Sequence, residues 1–237
     1  MDGNTNMLTP KQFTTKIAED CEALYQYHEN SVRSYFEAKP SKEMMIEYFS
    51  RRMINERMNC VQISKRVAAL PANTPAEEMF LLSKQAFDEA KHFWYVKEIV
   101  EDMLGHEVDV DATLERIRQA QLNSDTETIR PAELLERFEC ADDPLALAVY
   151  QYIAEGMAHR NWMMQALCAP NELIRSKYEE IAKDEKFHAS LGRKALEELV
   201  VDEETQQRAQ KLADQFIEIL WDLRCIKQHI PMSELHA

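Results

Sequence analysis

The hydrophobic residues of this chain recur at the spacing of an α-helix over most of its length. In one stretch, Met79, Leu82, Ala86, Ala90 and Phe93 follow one another at intervals of three or four residues, which places them on one helical face. No stretch has the strict alternation of polar and apolar residues that is typical of a half-buried β-strand. We therefore predict an all-α fold with eight helices, at residues 10–38, 41–70, 75–104, 111–122, 131–140, 144–168, 171–200 and 202–229.

Prolines mark the starts of several predicted helices. Residues 9–12, TPKQ, supply an N-cap threonine, a proline in the first turn and a glutamine that completes a capping box. Residues 74–77, TPAE, repeat this arrangement. Pro131 and Pro144 also suit first-turn positions, the second of them capped by Asp143. Because the connections are short, we expect consecutive helices to pack antiparallel.

Composition and charge exclude several classes of function. The net charge of -14 disfavours binding to nucleic acid or to an acidic membrane surface. Only four glycines occur, and no Gly-x-Gly pattern, which argues against the common dinucleotide and P-loop motifs. No apolar run is long enough for a transmembrane helix, and the N-terminus does not have the pattern of a signal peptide. We expect a single cytoplasmic domain over residues 1–237, with its five cysteines reduced.

The sequence Asp-Glu-x-x-His occurs twice, in two different predicted helices. Residues three apart in a helix project from nearly the same face. The glutamate and the histidine of each copy can therefore converge on one metal ion. A single pair of this kind arises easily by chance, so further ligands are needed to support a site. The two copies are Asp88-Glu89-x-x-His92 and Asp184-Glu185-x-x-His188.

A third glutamate lies at the same depth as the first motif. A carboxylate-bridged dinuclear site needs one further glutamate from each partner helix. The loop between helices 41–70 and 75–104 is centred near Asn73, and Glu89 lies 16 residues after it while Glu56 lies 17 residues before it. In an antiparallel hairpin these two side chains lie at one level.

The second motif has a matching glutamate as well. The turn after helix 144–168 is centred near Pro170, and Glu185 and Glu155 each lie 15 residues from it. Glu155 is the sole acidic residue of an otherwise apolar helix. Burial of a lone carboxylate is unfavourable by several kcal/mol unless the carboxylate is paired or binds a metal. This is the strongest single-residue indication of a metal site in the sequence.

These residues form a ligand set that suits two divalent cations. Four carboxylates carry a total charge of -4, and oxygen-rich ligands with one imidazole per metal favour iron or manganese. Zinc has no need of four carboxylates. Asp88 and Asp184 each lie four residues before a motif histidine, where a carboxylate can accept a hydrogen bond from a ligand imidazole. The predicted ligands, which would also be the catalytic residues, are Glu56, Glu89, His92, Glu155, Glu185 and His188.

The order of these residues resembles that of the ferritin-like di-iron carboxylate superfamily. The resemblance covers about residues 41–200, and it is closer to the oxygen-activating enzymes of that superfamily than to its storage ferritins. It implies an antiparallel four-helix bundle with additional flanking helices, two iron ions and O2 as co-substrate. The implied activity is a non-haem di-iron oxygenase or oxidase that carries out hydroxylation, N-oxygenation or a related oxidation of a small organic substrate.

The same resemblance implies partners. The usual reaction cycle needs two electrons per turnover, and the chain has no cysteine cluster or flavin motif to supply them. An external ferredoxin or reductase, or an electron-rich substrate, is therefore expected, together with a small-molecule substrate. A homodimer is the candidate assembly.

Three other functions stay open from sequence alone. A ferroxidase or iron-storage protein and a dimanganese catalase would use almost the same ligands, and a helical binding protein would use no metal.

Two further residues also have two interpretations. His159 lies one turn after Glu155 and is either an extra ligand or a core histidine. Gly192 lies one turn after His188 and either leaves room for substrate or O2, or allows two helices to cross closely.

Overall fold

The computed structural model describes residues 7–122, 126–139 and 141–228. All regular secondary structure within these residues is α-helix, which confirms the all-α class. The helices of the described residues are α1 (Pro10–Asp20), α2 (Glu22–Glu37), α3 (Lys42–Ala68), α4 (Ala76–Leu104), α5 (Val110–Leu122), α6 (Thr126–Glu139), α7 (Pro144–Cys168), α8 (Glu172–Leu199) and α9 (Glu203–Gln228).

Six of the eight predicted helices agree with the structure to within two residues at each end. These six correspond to α3, α4, α5, α7, α8 and α9. The predicted helix ends at residues 140 and 229 lie outside the described residues. Helical periodicity therefore located the four helices that carry the predicted ligands.

The prediction of one helix over residues 10–38 is wrong, because α1 ends at Asp20 and α2 begins at Glu22. Cys21 between them keeps a right-handed helical conformation, with φ -84° and ψ -11°. Its N–H still donates to the Ile17 carbonyl at 3.1 Å. The interruption is thus a distortion at one buried residue, and the apolar spacing that runs through it gives no sign of a break.

The prediction that Pro131 lies in a first turn is also wrong. α6 begins at Thr126, five residues earlier, so Pro131 lies inside the helix. A proline there cannot donate the hydrogen bond that residue 127 would otherwise accept. Proline is common in the first turn of a helix, and this preference favoured a predicted start at residue 131. The observed helix begins earlier and tolerates the loss of one backbone hydrogen bond at Pro131.

Two of the three predicted caps are confirmed. The Thr9 side chain accepts from the Gln12 N–H, and the Gln12 side chain accepts from the Thr9 N–H, which completes the capping box. Asp143 Oδ1 accepts from the Leu145 N–H at the start of α7. The Thr74 cap is wrong, because Pro75 occupies the N-cap position of α4. The Thr74 hydroxyl instead donates to the Pro71 carbonyl in the preceding turn.

The described chain divides into two compact units. The first comprises residues 1–31, 124–163 and 185–237, and it includes α1, α6 and α9 with parts of α7 and α8. Its core is apolar and is drawn from several helices, with fully buried Ile17, Val149, Ile153, Leu196 and Phe216. This packing fixes the part of α7 that carries Glu155 and the part of α8 that carries His188.

The second unit comprises residues 32–123 and 164–184. Within it, α3 and α4 form a closely packed hairpin joined by residues 69–75. The α3 side chains Phe49, Met53 and Ile54 are almost fully buried, and Phe49 contacts the Tyr178 ring of α8 with ring centroids 5.9 Å apart. The hairpin holds the predicted ligands of α3 and α4 on buried helix faces.

Gly192 marks a close crossing of α7 and α8. A Cβ atom added to Gly192 would lie 2.5 Å from the backbone nitrogen of Tyr152 and 2.9 Å from the carbonyl carbon of Gln151. Only a residue without a side chain fits at this distance. Of the two interpretations of Gly192, the structure therefore supports the close helix crossing.

α7 is the most apolar of the described helices, and Glu155 is its sole acidic residue. Even so, no described helix combines the length and the apolar character needed to cross a membrane. The apolar residues of α7 instead enter protein cores, since Ala148, Val149, Ile153 and Trp162 are all buried.

Candidate metal centre

The six predicted ligands are mostly buried, although all of them are polar. The two histidines are 0% exposed, and the residues Glu56, Glu89 and Glu185 are only 1–3% exposed. Glu155 is half-buried. Burial of this many ionisable groups is strongly unfavourable unless they are paired with opposite charge. The residues lie on four helices: Glu56 on α3, Glu89 and His92 on α4, Glu155 on α7, and Glu185 and His188 on α8.

Donor atoms of these residues converge into two groups. Within each group, one ligand atom of every member lies within 4.8 Å of the ligand atoms of all the others. Glu185 belongs to both groups, so the two groups share a carboxylate. A buried cluster of glutamate and histidine of this kind can hold a metal ion. The first group is Glu89, Glu155, Glu185 and His188, and the second is Glu56, His92 and Glu185.

The donor set fits a divalent cation in both spacing and charge. Metal–oxygen bonds of about 2.1 Å place donors on opposite sides of a metal roughly 4.2 Å apart, close to the 4.8 Å limit of the two groups. Two carboxylates 4.8 Å apart repel each other by about 3.5 kcal/mol at an effective dielectric constant of 20. Cations bound among these carboxylates would remove that repulsion.

His92 is oriented by hydrogen bonding so that its Nδ1 faces carboxylates. Its Nε2 lies 3.2 Å from Asp184 Oδ2. An ionised Asp184 can only accept, so Nε2 carries the proton, and in the neutral imidazole Nδ1 then presents its lone pair. Nδ1 lies 3.6 Å from Glu89 Oε2 and 3.9 Å from Glu56 Oε2. This is the tautomer that a metal ligand requires.

Glu185 is held at both of its oxygens. The Trp162 indole Nε1 donates to Glu185 Oε1 at 3.2 Å, and His188 Nδ1 lies 3.1 Å from Oε2. The sequence gives no sign of a role for Trp162 at the site, because an aromatic residue at helical spacing is usually part of the core. The indole instead fixes the carboxylate that belongs to both donor groups.

Two lysines hold the aspartates that precede the motif glutamates. Lys84 pairs with Asp88 Oδ2 along α4. Lys91 Nζ lies 2.6 Å from Asp184 Oδ2 and 3.6 Å from Asp88 Oδ1. The Lys84–Asp88 pair has i,i+4 spacing that is visible in the sequence, whereas the Lys91–Asp184 pair joins two helices and is not.

The Lys91–Asp184 pair remains ionised despite its partial burial. Burial alone would raise the pKa of Asp184, but hydrogen bonds from His92 and Lys91 outweigh it and hold that pKa below its ordinary value. Burial alone would lower the pKa of Lys91, and the contact with Asp184 outweighs it and raises that pKa. The same Asp184 oxygen thus accepts from a lysine and from the imidazole of His92.

Glu56 has electrostatic neighbours of its own. Burial raises the pKa of Tyr178 well above its ordinary value, and the charges of Tyr48 and Glu56 raise it further. Burial acts to lower the pKa of Arg52, but Tyr48, Tyr178 and Glu56 together raise it. A permanently charged guanidinium and a neutral phenol therefore lie in the electrostatic environment of Glu56.

His159 is half-buried on α7. Among the described residues, neither donor group includes it. The structure therefore gives no support to an extra ligand at this position.

The chain was compared with models of protein families and with curated proteins, and nothing matched in either comparison.

Proposed function

We propose that this protein is an O2-activating non-haem di-iron oxygenase or oxidase of the ferritin-like type, which acts on a small organic substrate. In this proposal α3, α4, α7 and α8 are the four antiparallel helices of the metal-bearing bundle, and the remaining helices flank it. The proposal rests on one observation above all, the two buried donor groups that share the Glu185 carboxylate.

The shared carboxylate favours a dinuclear centre over a single ion. One group supplies three carboxylates and an imidazole, and the other supplies two carboxylates and an imidazole. Each metal position thus has one nitrogen and several oxygen donors, which suits iron or manganese. Two iron ions, when bound, would supply the electrons that reduce O2 and the oxidising power directed at the substrate.

The residues of the chain have distinct roles in this proposal. His92 binds through Nδ1, and Asp184 keeps it in the required tautomer by accepting from its Nε2–H. His188 supplies the imidazole of the other donor group. Trp162 orients Glu185. Five of the six ligands are at most 3% exposed, which limits the access of bulk water and strengthens the electrostatic interactions there.

Electrons and substrate must come from outside the chain. No internal redox group accompanies the donor groups in the sequence, so an external ferredoxin or reductase supplies the electrons unless the substrate itself is electron-rich. We place the protein in the cytoplasm, where Cys21, Cys60 and Cys168, free thiols in the structure, would stay reduced.

Metal analysis followed by rapid mixing with O2 tests the proposal. The protein is loaded anaerobically with Fe(II), freed of excess metal, and mixed with O2 in a stopped-flow spectrometer. We expect two irons per chain and a transient visible absorption band whose decay is accelerated by substrates. Glu155→Gln should reduce the iron content, whereas Glu179→Gln, which removes one charge from an exposed position of α8, should not.

Other outcomes would identify a different function. Many irons per chain in a large oligomer would indicate iron storage. Rapid disproportionation of peroxide by the manganese-loaded protein would indicate a catalase. Failure to bind iron stoichiometrically would refute the metal centre, and stoichiometric iron without any reaction with O2 would refute the oxygenase.

A further inference from the structure

α4 has an exposed face without charged residues. The helix buries the face that carries its metal-binding residues and exposes the opposite one. On that exposed face, three aromatic residues follow one another at intervals of seven: Phe80, Phe87 and Trp94 are 65%, 66% and 57% exposed. Small residues, also exposed, alternate with them. We call the six residues Ala76, Phe80, Ser83, Phe87, Ala90 and Trp94 the α4 stripe.

The α4 stripe is unusual for a solvent-facing helix surface. Such a surface normally carries charged and polar residues. At the observed exposures, the three aromatic side chains present roughly 350 Å² to solvent. A patch of this size is comparable with the largest patch on a typical monomer and usually marks an interaction site.

The spacing of the α4 stripe is that of a coiled-coil seam. Its residues recur at intervals of four and three, which is the a/d pattern of a heptad. All aromatic residues occupy one of the two positions and all small residues occupy the other. A second copy of the same helix is therefore a complementary partner, since large side chains can pack against small ones.

We propose that the α4 stripe packs antiparallel against the α4 stripe of a second copy of this chain, with a two-fold axis at the level of residue 85. Residues at equal distances from that level then face each other. Phe87 lies opposite the partner's Ser83, Phe80 opposite the partner's Ala90, and Trp94 opposite the partner's Ala76. Each aromatic side chain meets a small one, so the two helices can approach closely.

The residues beside the α4 stripe are compatible with this contact. On one side lie Met79, Ala86 and Phe93, none of which is charged. On the other side lie Glu77, Lys84 and Lys91, and both lysines have carboxylate partners within their own chain. Glu77 is exposed in the first turn of α4, at the end of the contact. Lys177, whose Nζ lies 5.8 Å from the centroid of the Trp94 ring, pairs with Glu98. Formation of the dimer therefore need not bury an unbalanced charge.

The available area suits a modest dimer. The α4 stripe spans about 27 Å along the helix. Stable interfaces bury about 800 Å² per partner, and the three aromatic residues supply roughly 350 Å² of it. Flanking side chains, including the 46% exposed Met79, must supply the rest, so one charged substitution should be enough to separate the subunits.

Light scattering and sedimentation test the assembly. The wild-type protein should have twice the mass of the 27.7 kDa chain. Phe87→Glu should raise the dissociation constant about 100-fold or more, because the symmetry introduces the change twice at the centre of the contact. The matched control Leu167→Glu changes a side chain that is 70% exposed on α7 and should leave the dimer intact. Circular dichroism checks that both variants stay helical.

Disulfide trapping tests the antiparallel arrangement and does not depend on Phe87. A mixture of Phe80→Cys and Ala90→Cys proteins should form a covalent heterodimer under mild oxidation, because these positions face each other. Either variant alone should form none above the wild-type level, since the two copies of one position lie about 15 Å apart along the axis. Metal binding is not required for either experiment.

Several results would overturn the proposal. A wild-type monomer at the highest soluble concentration would mean that another part of the chain or another protein covers the α4 stripe. A dimer that survives Phe87→Glu, or that separates with Leu167→Glu instead, would place the contact elsewhere. Covalent dimers of Phe80→Cys alone, above the wild-type level, would indicate parallel helices.

Discussion

Replacement of Glu155 by glutamine should change stability in opposite directions without and with metal. Two other carboxylates, those of Glu89 and Glu185, have oxygens within 4.8 Å of a Glu155 oxygen. At that distance each pair of ionised carboxylates repels by about 3.5 kcal/mol at an effective dielectric constant of 20. Glutamine has nearly the same shape and removes this charge. The metal-free protein should therefore become more stable.

Protonation limits the size of the gain. Protonation at pH 7 of a carboxyl group with the ordinary pKa of 4.3 requires a free energy of about 3.7 kcal/mol. Repulsion greater than that is relieved by uptake of a proton, so the substitution can stabilise the metal-free protein by at most about 4 kcal/mol. A gain of about 1–4 kcal/mol in the free energy of unfolding is the expected range.

The metal-loaded protein should respond in the opposite sense. Glutamine is a neutral and weaker ligand than glutamate, so metal affinity should fall. A 100-fold weaker affinity removes about 2.7 kcal/mol of metal-induced stabilisation when the metal is in large excess. Urea unfolding at pH 7, with and without Fe(II) under anaerobic conditions, measures both effects, and Glu179→Gln should change neither by more than about 0.5 kcal/mol.

One result would refute this reasoning. If Glu155→Gln destabilised the metal-free protein and left the metal-induced stabilisation unchanged, the Glu155 carboxylate would be satisfied by protein contacts alone. The two donor groups would then be a hydrogen-bonded cluster and not a cation site.

Three further substitutions test the surroundings of the centre. Lys91→Met removes a contact that holds Asp184 against His92, and it should weaken metal binding about 10-fold, measured by competition with a coloured chelator. Trp162→Phe removes the hydrogen bond to the shared carboxylate, and it should shift the absorption spectrum of the cobalt-substituted protein while the chain stays folded. Gly192→Ala forces a Cβ atom to within 2.5 Å of backbone, and it should lower the free energy of unfolding by about 1–3 kcal/mol in a urea titration.

The sequence was sufficient to predict most of the helices and the convergence of candidate ligands. Helical periodicity and cap residues are local signals, so α3, α4, α7 and α8 could be placed to within two residues. Glu56 and Glu89 could be paired because they lie at nearly equal distances from a short turn. In an antiparallel hairpin, residues equally far from the turn lie at the same height along the helix axes. The same geometry selected Glu155, and the donor groups include all three of these residues.

The remaining features depend on contacts between distant segments. Nothing local distinguishes Lys91 from other surface lysines, since its partner Asp184 lies on another helix. Nothing local distinguishes Trp162 from an ordinary core residue, since its hydrogen bond to Glu185 joins two different helices. Cys21 interrupts a helix within an unbroken apolar pattern, and Pro131 lies where proline is usually avoided.

Charge balance gives a reason for the two lysines around the centre. Asp88 and Asp184 would add two negative charges beside a cluster that already holds four carboxylates. Lys84 and Lys91 pair with these aspartates and cancel their charge. The negative charge that would attract a cation is then that of the donor groups themselves, which the Arg52 guanidinium near Glu56 offsets only in part. The two ion pairs thus leave a net negative charge at a buried site that could hold a metal ion.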